Sequence, residues 1–168
     1  FGEYDTNNVW QPKKFAGVYG PLVDQSQTWS GLDTWPTAAY STTPSHAFNG
    51  VASVNTADIW YSNAASTVTL TNLAAQLPNP VTTLEVYTYD RNGTITITVN
   101  GTAHAFPNVG DYAWNTVNVN AQITSLTIAG TDSSYWGIGA IKVNGKILVD
   151  SGVSIVDNSF HLDFSDTS

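Results

Sequence analysis

Residues 89–106 read YDRNGTITITVNGTAHAF and carry the strongest fold signal in the chain. Two Asn-Gly pairs lie eight residues apart, and between them Thr alternates with Ile or Val. Asn and Gly best tolerate the positive φ angles of a two-residue type I′ turn. Alternation with a period of two is typical of a strand with one face in the core. The segment therefore predicts a ribbon of three antiparallel strands joined by two tight turns.

These turns fix a predicted register. The first turn places the following residues opposite each other: Arg91–Thr94, Tyr89–Thr96, Tyr87–Thr98, Thr88–Ile97 and Val86–Val99. The second turn pairs Ile97 with His104 and Ile95 with Phe106. A third Asn-Gly pair, at residues 144–145, predicts a hairpin with Ile141 opposite Leu148. The side of the ribbon predicted to face the core carries Leu84, Val86, Ile95, Ile97, Val99 and Phe106. The outward side carries Glu85, Tyr87, Tyr89, Arg91, Thr94, Thr96 and Thr98.

The rest of the chain reads as short alternating apolar runs cut by Gly, Asn, Asp or Pro. Predicted strands are Thr67–Leu73, Thr82–Asp90, Thr94–Val99, Thr102–Phe106, Trp114–Val119, Ile123–Ala129, Gly137–Val143, Lys146–Asp150 and Ser159–Phe164. The one helical pattern, Asn72–Leu77, is ended by Pro78 and Pro80. Residues 20–65 read mostly as loop. We expect an all-β fold, an antiparallel two-sheet β-sandwich or jelly roll.

Composition narrows the class of partner. Charged residues make up 11% of the chain, and the net charge of −8 comes with only five Lys and Arg. So few cations cannot form the basic surface that binds nucleic acid or an anionic membrane. No apolar run approaches the roughly 18 residues of a membrane-spanning helix. Cysteine is absent, which excludes a disulfide framework and a thiolate metal site.

No motif for catalysis stands out, so we expect no enzymatic activity. Glycosidases generally need two positioned carboxyl groups, and this chain has two Glu, with its Asp residues mostly in turn-like contexts. The three His are dispersed, and no G-x-S-x-G, zinc-ligand or phosphate-loop pattern occurs. Calcium stays open, because residues 49–60 and 130–135 could supply carboxylate and carbonyl ligands. Asn and Asp in these loops also have an ordinary explanation as turn residues.

Aromatic residues are the more informative set, with six Trp and eight Tyr. Trp60, Trp114 and Trp136 lie in or beside predicted strands, and we expect core positions for some of them. In the loop-rich region, Trp29, Trp35 and Tyr40 are the first candidates for stacking on a sugar ring. Tyr87, Tyr89 and Arg91, on the outward side of the ribbon, are the second candidates. Each set also has a plain alternative, namely anchoring a loop or lining a solvated face.

Two segments carry a resemblance to a known sandwich family. PSHAFNG followed by TADIWYSNAASTVTLTNL resembles the opening of the discoidin, or galactose-binding-like, β-sandwich. Asn49 stands where that family usually has Asp, in a loop that contributes to calcium sites in some members. The resemblance implies a galactose-binding-like sandwich.

A second resemblance concerns the two ends of the chain. EYDTNNVWQPKKFAGVYG and NSFHLDFSDTS resemble segments of virion structural or tail-fibre proteins of cyanophages and other aquatic tailed phages, and so does GIGAIKVNGKILVDSGV. It implies that residues 21–156 form a sandwich inserted into a larger virion protein, with residues 1–20 and 157–168 as its flanks, together one domain of 1–168.

What the resemblance implies about function is adhesion. We expect a lectin-like tail-fibre module on the virion surface that contacts host-cell glycans, within a homo-oligomeric fibre. The alternative is a purely structural virion component that contacts other virion proteins and binds no sugar.

Overall fold

The computed structural model of the chain describes residues 2–4, 6, 9–12, 19–23, 33–36, 43–107, 112–132 and 135–150. Trp29, Tyr40 and the predicted strand Ser159–Phe164 lie outside these residues.

Strands account for most of the described chain. They are β1 (Gly2–Tyr4), β2 (Trp10–Pro12), β3 (Tyr19–Val23), β4 (Asp33–Thr34), β5 (Trp60–Ser62), β6 (Ser66–Leu70), β7 (Val81–Asp90), β8 (Thr94–Val99), β9 (Thr102–Pro107), β10 (Ala113–Ala121), β11 (Leu126–Gly130), β12 (Trp136–Val143) and β13 (Lys146–Asp150). One α-helix, α1 (Thr71–Gln76), falls within a residue of the predicted helical pattern. Among the described residues, two short 3₁₀ helices cover Pro44–Phe48 and Thr56–Asp58.

The strands form two sheets that pack against each other. The six-stranded sheet has the order β10-β7-β12-β13-β3, with β5 pairing the remaining length of β12. The five-stranded sheet has the order β4-β6-β11-β8-β9. Pairing is antiparallel except between β13 and β3, while β1 and β2 form a ribbon of their own. The predicted all-β, two-sheet sandwich is confirmed. The predicted junction between the N-terminal flank (1–20) and the inserted sandwich core (21–156) falls inside β3.

Alternate residues of both sheets form the core. Leu84 and Val86 of β7 and Ile97 of β8 are fully buried, while the residues between them are half-buried on the outer faces. Trp60 and Trp136 are also fully buried and meet edge to face, with ring centroids 5.2 Å apart. The predicted core side of the ribbon is therefore confirmed, and Phe106 packs against the core from the edge strand β9.

The predicted hairpin at Asn92-Gly93 is wrong. β7 pairs with β10 and β12, whereas β8 pairs with β9 and β11, so residues 91–93 cross from one sheet to the other. Neither Asn92 nor Gly93 has the positive φ of a type I′ turn. Instead, side chains hold the crossing: Gly93 N–H donates to Asp90 Oδ1 (2.6 Å) and Asn92 N–H to Asp132 Oδ2 (2.9 Å). In consequence, the outward Tyr and Thr residues of the ribbon lie on opposite faces of the sandwich.

The other two Asn-Gly turns are confirmed. Asn100 and Asn144 have φ angles of 50° and 51°, each followed by a glycine with positive φ. The β8–β9 pairing places Ile97 opposite His104 and Ile95 opposite Phe106, as predicted. The β12–β13 pairing joins Val143 to Lys146, in line with the predicted register.

Each of these turn asparagines also binds the start of a distant strand, an arrangement we call an asparagine clasp. The Asn100 Oδ1 atom accepts hydrogen bonds from Thr124 N–H (2.8 Å), Thr124 Oγ1 (3.0 Å) and Ser125 N–H (3.2 Å). In the same way, Asn144 Oδ1 accepts from Thr82 N–H (2.7 Å), Thr82 Oγ1 (2.8 Å) and Thr83 N–H (3.3 Å). The clasps tie the β8–β9 turn to the start of β11 and the β12–β13 turn to the start of β7.

The two clasps expose an internal quasi-repeat. Residues 81–84 read VTTL and residues 123–126 read ITSL, and an Asp follows six residues after each Leu. Each unit then crosses to the other sheet and ends in a Val-Asn-Gly turn. The first strand of each unit pairs with the second strand of the other unit. The centre of the sandwich is therefore two interlocked copies of one strand-crossing-strand unit.

Candidate functional site: an aromatic face

The outer side of the six-stranded sheet carries a cluster of aromatic rings. We call the aromatic face the set Tyr61, Tyr87, Tyr89, Tyr112, Trp114 and Tyr135. Strand register explains how residues distant in sequence meet there. Across β5, β12 and β7, Tyr61, Gly137 and Tyr89 form one row. In the next row, Ala140 and Trp114 flank Tyr87 on its two sides.

The rings contact each other continuously across the face. Tyr112 is stacked on Tyr89 with centroids 4.6 Å apart, and on Tyr87 at 6.0 Å. Tyr87 in turn lies 5.1 Å from Trp114. Tyr135 meets Tyr61 edge to face at 5.4 Å. Such contacts contribute about 0.5–1.5 kcal/mol per pair beyond their buried area. The result is an extended aromatic surface rather than isolated exposed rings.

Two glycines of β12 make room for this packing. A Cβ atom at Gly137 would lie 2.7 Å from Cδ1 of Tyr61 and 2.6 Å from the carbonyl oxygen of Trp60. At Gly139, a Cβ atom would lie 3.0 Å from Cδ1 of Tyr87. The sequence Gly-Ile-Gly, which has no part in a nucleotide-binding motif here, thus lets two tyrosine rings lie close against the strand.

Tyr61 is the buried member of the aromatic face, with 1% of its surface exposed. Its hydroxyl group shares a hydrogen bond with the hydroxyl of Tyr112. Burial, and then the hydrogen bond and the nearby phenol groups, raise the pKa of Tyr61 well above its usual range. Burial and Tyr112 also raise the pKa of Tyr87. Both phenols therefore stay neutral at physiological pH, when a hydroxyl can both donate and accept a hydrogen bond.

A polar row borders the aromatic face on one side. Lys142, Glu85 and Thr116 are cross-strand neighbours on β12, β7 and β10. The Nζ atom of Lys142 lies 3.7 Å from the centroid of the Trp114 ring, which is a cation–π contact. Half-buried aromatic rings beside hydroxyl, ammonium and carboxylate groups are the usual lining of a site for a polar ligand with apolar faces.

The structure brings together only part of the residues predicted as a site. Tyr87 and Tyr89 lie side by side in the aromatic face. Arg91 is exposed in the crossing, and its backbone N–H donates to the carbonyl of Tyr135 (3.2 Å). Trp35 lies elsewhere, at the margin of the core, edge-on to Phe48 at 6.1 Å and to Trp60 at 5.1 Å. Ligand binding by Trp35 stays a prediction, as it does for Trp29 and Tyr40.

Four members of the face were missed by sequence reasoning: Tyr61, Tyr112, Trp114 and Tyr135. Trp114 was expected among the core tryptophans, yet it is half-buried on the outer face. Its orientation follows from Val117, which is buried three residues later on the same strand and so points to the opposite side. The alternation of side chains between the two faces of the strand within 114–119 could therefore have placed Trp114 on the outer face. No comparable local signal exists for Tyr112, which precedes its strand.

Within their described residues, neither predicted calcium loop shows a ring of acidic ligands, and Ser133 and Ser134 of the second loop lie outside the described residues. The Asn49 amide donates to Asp58 Oδ1 (3.2 Å), and Asn49 Oδ1 accepts from Val51 N–H (2.9 Å). Asn55 Oδ1 accepts from Ala57 N–H (3.1 Å). In the described part of the chain, no three His, Cys, Asp or Glu residues are grouped as metal ligands.

Comparison with known proteins yields no assignment. No family model matches the chain, and no curated protein is significantly similar to it. Among the residues that the structure describes, no helix is long and apolar enough to cross a membrane. Fold and site together define an all-β sandwich with an aromatic outer face.

Proposed function

We propose that the chain is a non-enzymatic carbohydrate-binding module, and that its aromatic face holds a glycan. The observation that carries the proposal is the continuous contact of Tyr89, Tyr112, Tyr87 and Trp114 across one outer face. Aromatic rings present an apolar surface to the C–H faces of a sugar, while hydroxyl and charged groups at the border bind its hydroxyl groups.

Charge favours a neutral glycan as the ligand. The chain carries a net charge of −8 and only five Lys and Arg, so its overall field repels a polyanion. Lys142, a cation bordering the aromatic face, is already engaged with the ring of Trp114. A neutral oligosaccharide is not repelled by the negative field and does not depend on Lys142 as a counter-ion.

Several features support binding without bond cleavage. Glycoside hydrolysis needs two carboxyl groups that flank the scissile bond. On the aromatic face Glu85 stands beside Lys142 rather than beside a second carboxylate. The Asp90 and Asp132 pair is buried, at 1% and 7% exposure, and Asp90 points to the core side of β7. A glycan on the outer face would not reach it.

The setting we propose is the surface of a phage particle, in a tail fibre that contacts the host cell. Support for it is the resemblance of the two chain ends and of residues 137–153 to virion proteins. A single open face gives weak binding, and repetition of the module in a homo-oligomeric fibre would raise the overall avidity by orders of magnitude.

Titration of the chain with a panel of neutral and acidic oligosaccharides, followed by calorimetry or by NMR, tests the proposal. We expect binding of one or more neutral glycans, and a loss of at least about fivefold in affinity for Trp114→Ala, as for a residue at the centre of an interface. Thr96→Ala is the control, because Thr96 lies on the outer face of the five-stranded sheet, on the opposite side of the sandwich.

Two outcomes would overturn the proposal. If no glycan binds, a structural role in the virion becomes the better explanation. If a glycan binds and Trp114→Ala leaves its affinity unchanged, the aromatic face is not the site. Trp29→Ala and Tyr40→Ala would then test the loop residues that the sequence also nominated.

A further inference from the structure

Two buried carboxylates lie close together where the chain crosses between the sheets. Asp90 ends β7 and is 1% exposed, and Asp132 follows β11 and is 7% exposed. They occupy equivalent positions in the quasi-repeat, six residues after Leu84 and Leu126. Each crossing therefore brings an acidic side chain to the same place in the sandwich.

One oxygen of each carboxylate holds the backbone of the crossing between β7 and β8. Asp90 Oδ1 accepts the N–H of Gly93 (2.6 Å), and Asp132 Oδ2 accepts the N–H of Asn92 (2.9 Å). The adjacent Thr131 Oγ1 accepts the N–H of Thr94 (2.8 Å). These bonds hold residues 92–94 against residues 131–132.

This structural role accounts for the burial of Asp90 Oδ1 but not for that of Asp90 Oδ2. Asp90 Oδ2 is fully buried and has no hydrogen-bond partner among the described residues. Burial first, and then the like charge of Asp132, raise the pKa of Asp90, while the backbone N–H groups of Gly93, Asn92 and Asp132 oppose that rise. Buried carboxylates are normally paired with a cation or coordinated to a metal, because the removal of an uncompensated charge from water is unfavourable.

We propose that Asp90 and Asp132 bind a calcium ion between the two crossings. Calcium takes oxygen ligands from carboxylates, carbonyls and water in flexible geometries, and two carboxylates neutralise its charge. Magnesium fits less well, because it keeps most of its water shell and this place is buried. The ion would coordinate Asp90 Oδ2 and replace the repulsion between the carboxylates by attraction to a shared cation.

Such an ion would also fix one border of the aromatic face. The crossing that follows Asp90 begins with Arg91, whose N–H donates to the carbonyl of Tyr135. Tyr135 packs edge to face against Tyr61 and Tyr89. Calcium would therefore stabilise the backbone that carries Tyr135, whether or not the face binds a glycan.

The test is thermal unfolding of the 168-residue chain in chelator, in CaCl₂ and in NaCl of equal ionic strength. We expect CaCl₂ to raise Tm by several degrees, as a ligand of the folded state does, and NaCl to raise it less.

Asp90→Asn and Asp132→Asn should each abolish the calcium-specific rise. In chelator, Asp90→Asn should be at least as stable as the natural chain, since one of two like buried charges is gone. In Asp58→Asn, the matched control in another loop, the rise should persist.

The natural chain decides the proposal even if a variant fails to fold. Should CaCl₂ raise its Tm no more than NaCl does, with no heat in a calcium titration, the site does not exist. A calcium response that survives in both Asp90→Asn and Asp132→Asn would equally overturn the assignment, because the ion would then lie elsewhere. Glycan binding is no part of these measurements, so failure of the proposed function leaves this test intact.

Discussion

Single residues in this protein act through what they exclude as well as what they bind. Gly137 is required because a Cβ atom there would collide with Tyr61, and Gly130 because a Cβ atom would lie 2.3 Å from the ring of Trp136. Tyr61 itself is buried among other phenols. Its hydroxyl is satisfied by Tyr112, which is how an aromatic residue with a polar end can occupy the interior of the face.

The burial of Tyr61 predicts a loss of stability in alkali. An ordinary tyrosine ionises near pH 10 in the unfolded chain, whereas the pKa of Tyr61 in the folded chain is raised by burial. As pH rises above about 10, the unfolded state loses this proton and the folded state keeps it, so stability falls. The contribution is fully present below about pH 10 and is lost as pH rises towards the folded pKa.

Urea denaturation of the natural chain and Tyr61→Phe at about pH 8 and about pH 11 measures this contribution. At the lower pH we expect Tyr61→Phe to be less stable by about 0.5–1.5 kcal/mol, because the bond to Tyr112 is lost. At the higher pH this difference should shrink or reverse. A difference that is the same at both values would show that Tyr61 ionises alike in both states.

Elements are defined here by their partners across the sheet more than by their own sequences. Residues 91–93 contain an Asn-Gly pair like those of the two hairpins, yet they join different sheets. Both edges of β7 are already occupied, by β10 and β12. The chain can continue into β8 only by crossing, and Gly93 allows it to pass close to Asp132.

Gly93→Ala tests this account of the crossing. A Cβ atom at residue 93 would lie 2.6 Å from the backbone nitrogen of Asp132, which cannot rotate away. We expect a cost of about 1–3 kcal/mol in urea denaturation, as for other overpacked sites. Asn92→Ala keeps the backbone N–H that donates to Asp132, so it should change stability by less than about 0.5 kcal/mol. Equal effects of the two changes would contradict the account.

The outcome at the three Asn-Gly pairs shows what sequence can and cannot predict. Alternation identified the strands and their core side, because burial of one face imposes it locally. The pairs at Asn100 and Asn144 were correctly predicted as hairpin turns from the same pattern that failed at Asn92. The difference lies in the order of strands in the sheet, which depends on contacts between distant residues.

The aromatic face was likewise predictable only in part. Tyr87 and Tyr89 were placed on one outer face by their alternation with buried residues of β7. Tyr61 and Tyr112 are 51 residues apart and meet only after β5, β12, β7 and β10 have assembled. No local pattern contains that information, and only the assembled sheet supplies it.

As a whole, the molecule is organised around its quasi-repeat. In each unit a strand that starts with [V/I]-T-[T/S]-L leads to a buried Asp, a crossing and a Val-Asn-Gly turn. That turn then clasps the start of the other unit's first strand. The clasps are reciprocal. In each sheet, the turn at the end of one unit is therefore hydrogen-bonded to the start of the first strand of the other unit.

This reciprocity predicts that the two clasps contribute equally and independently. Asn100→Gly and Asn144→Gly both keep the turn, since glycine tolerates a φ near 50°, and both remove a side chain with three accepted hydrogen bonds. Asn120→Gly is the control for the change in backbone entropy, because Asn120 has a φ of 54° and its side chain forms no hydrogen bond with the described residues. After subtraction of the Asn120→Gly effect, each clasp should cost about 1–2 kcal/mol in urea denaturation.

The double variant should lose the sum within about 0.5 kcal/mol, because the clasps share no hydrogen-bond partner. If one clasp cost nothing while the other cost its full amount, the units would be alike in sequence only, and a single turn would fasten the sandwich.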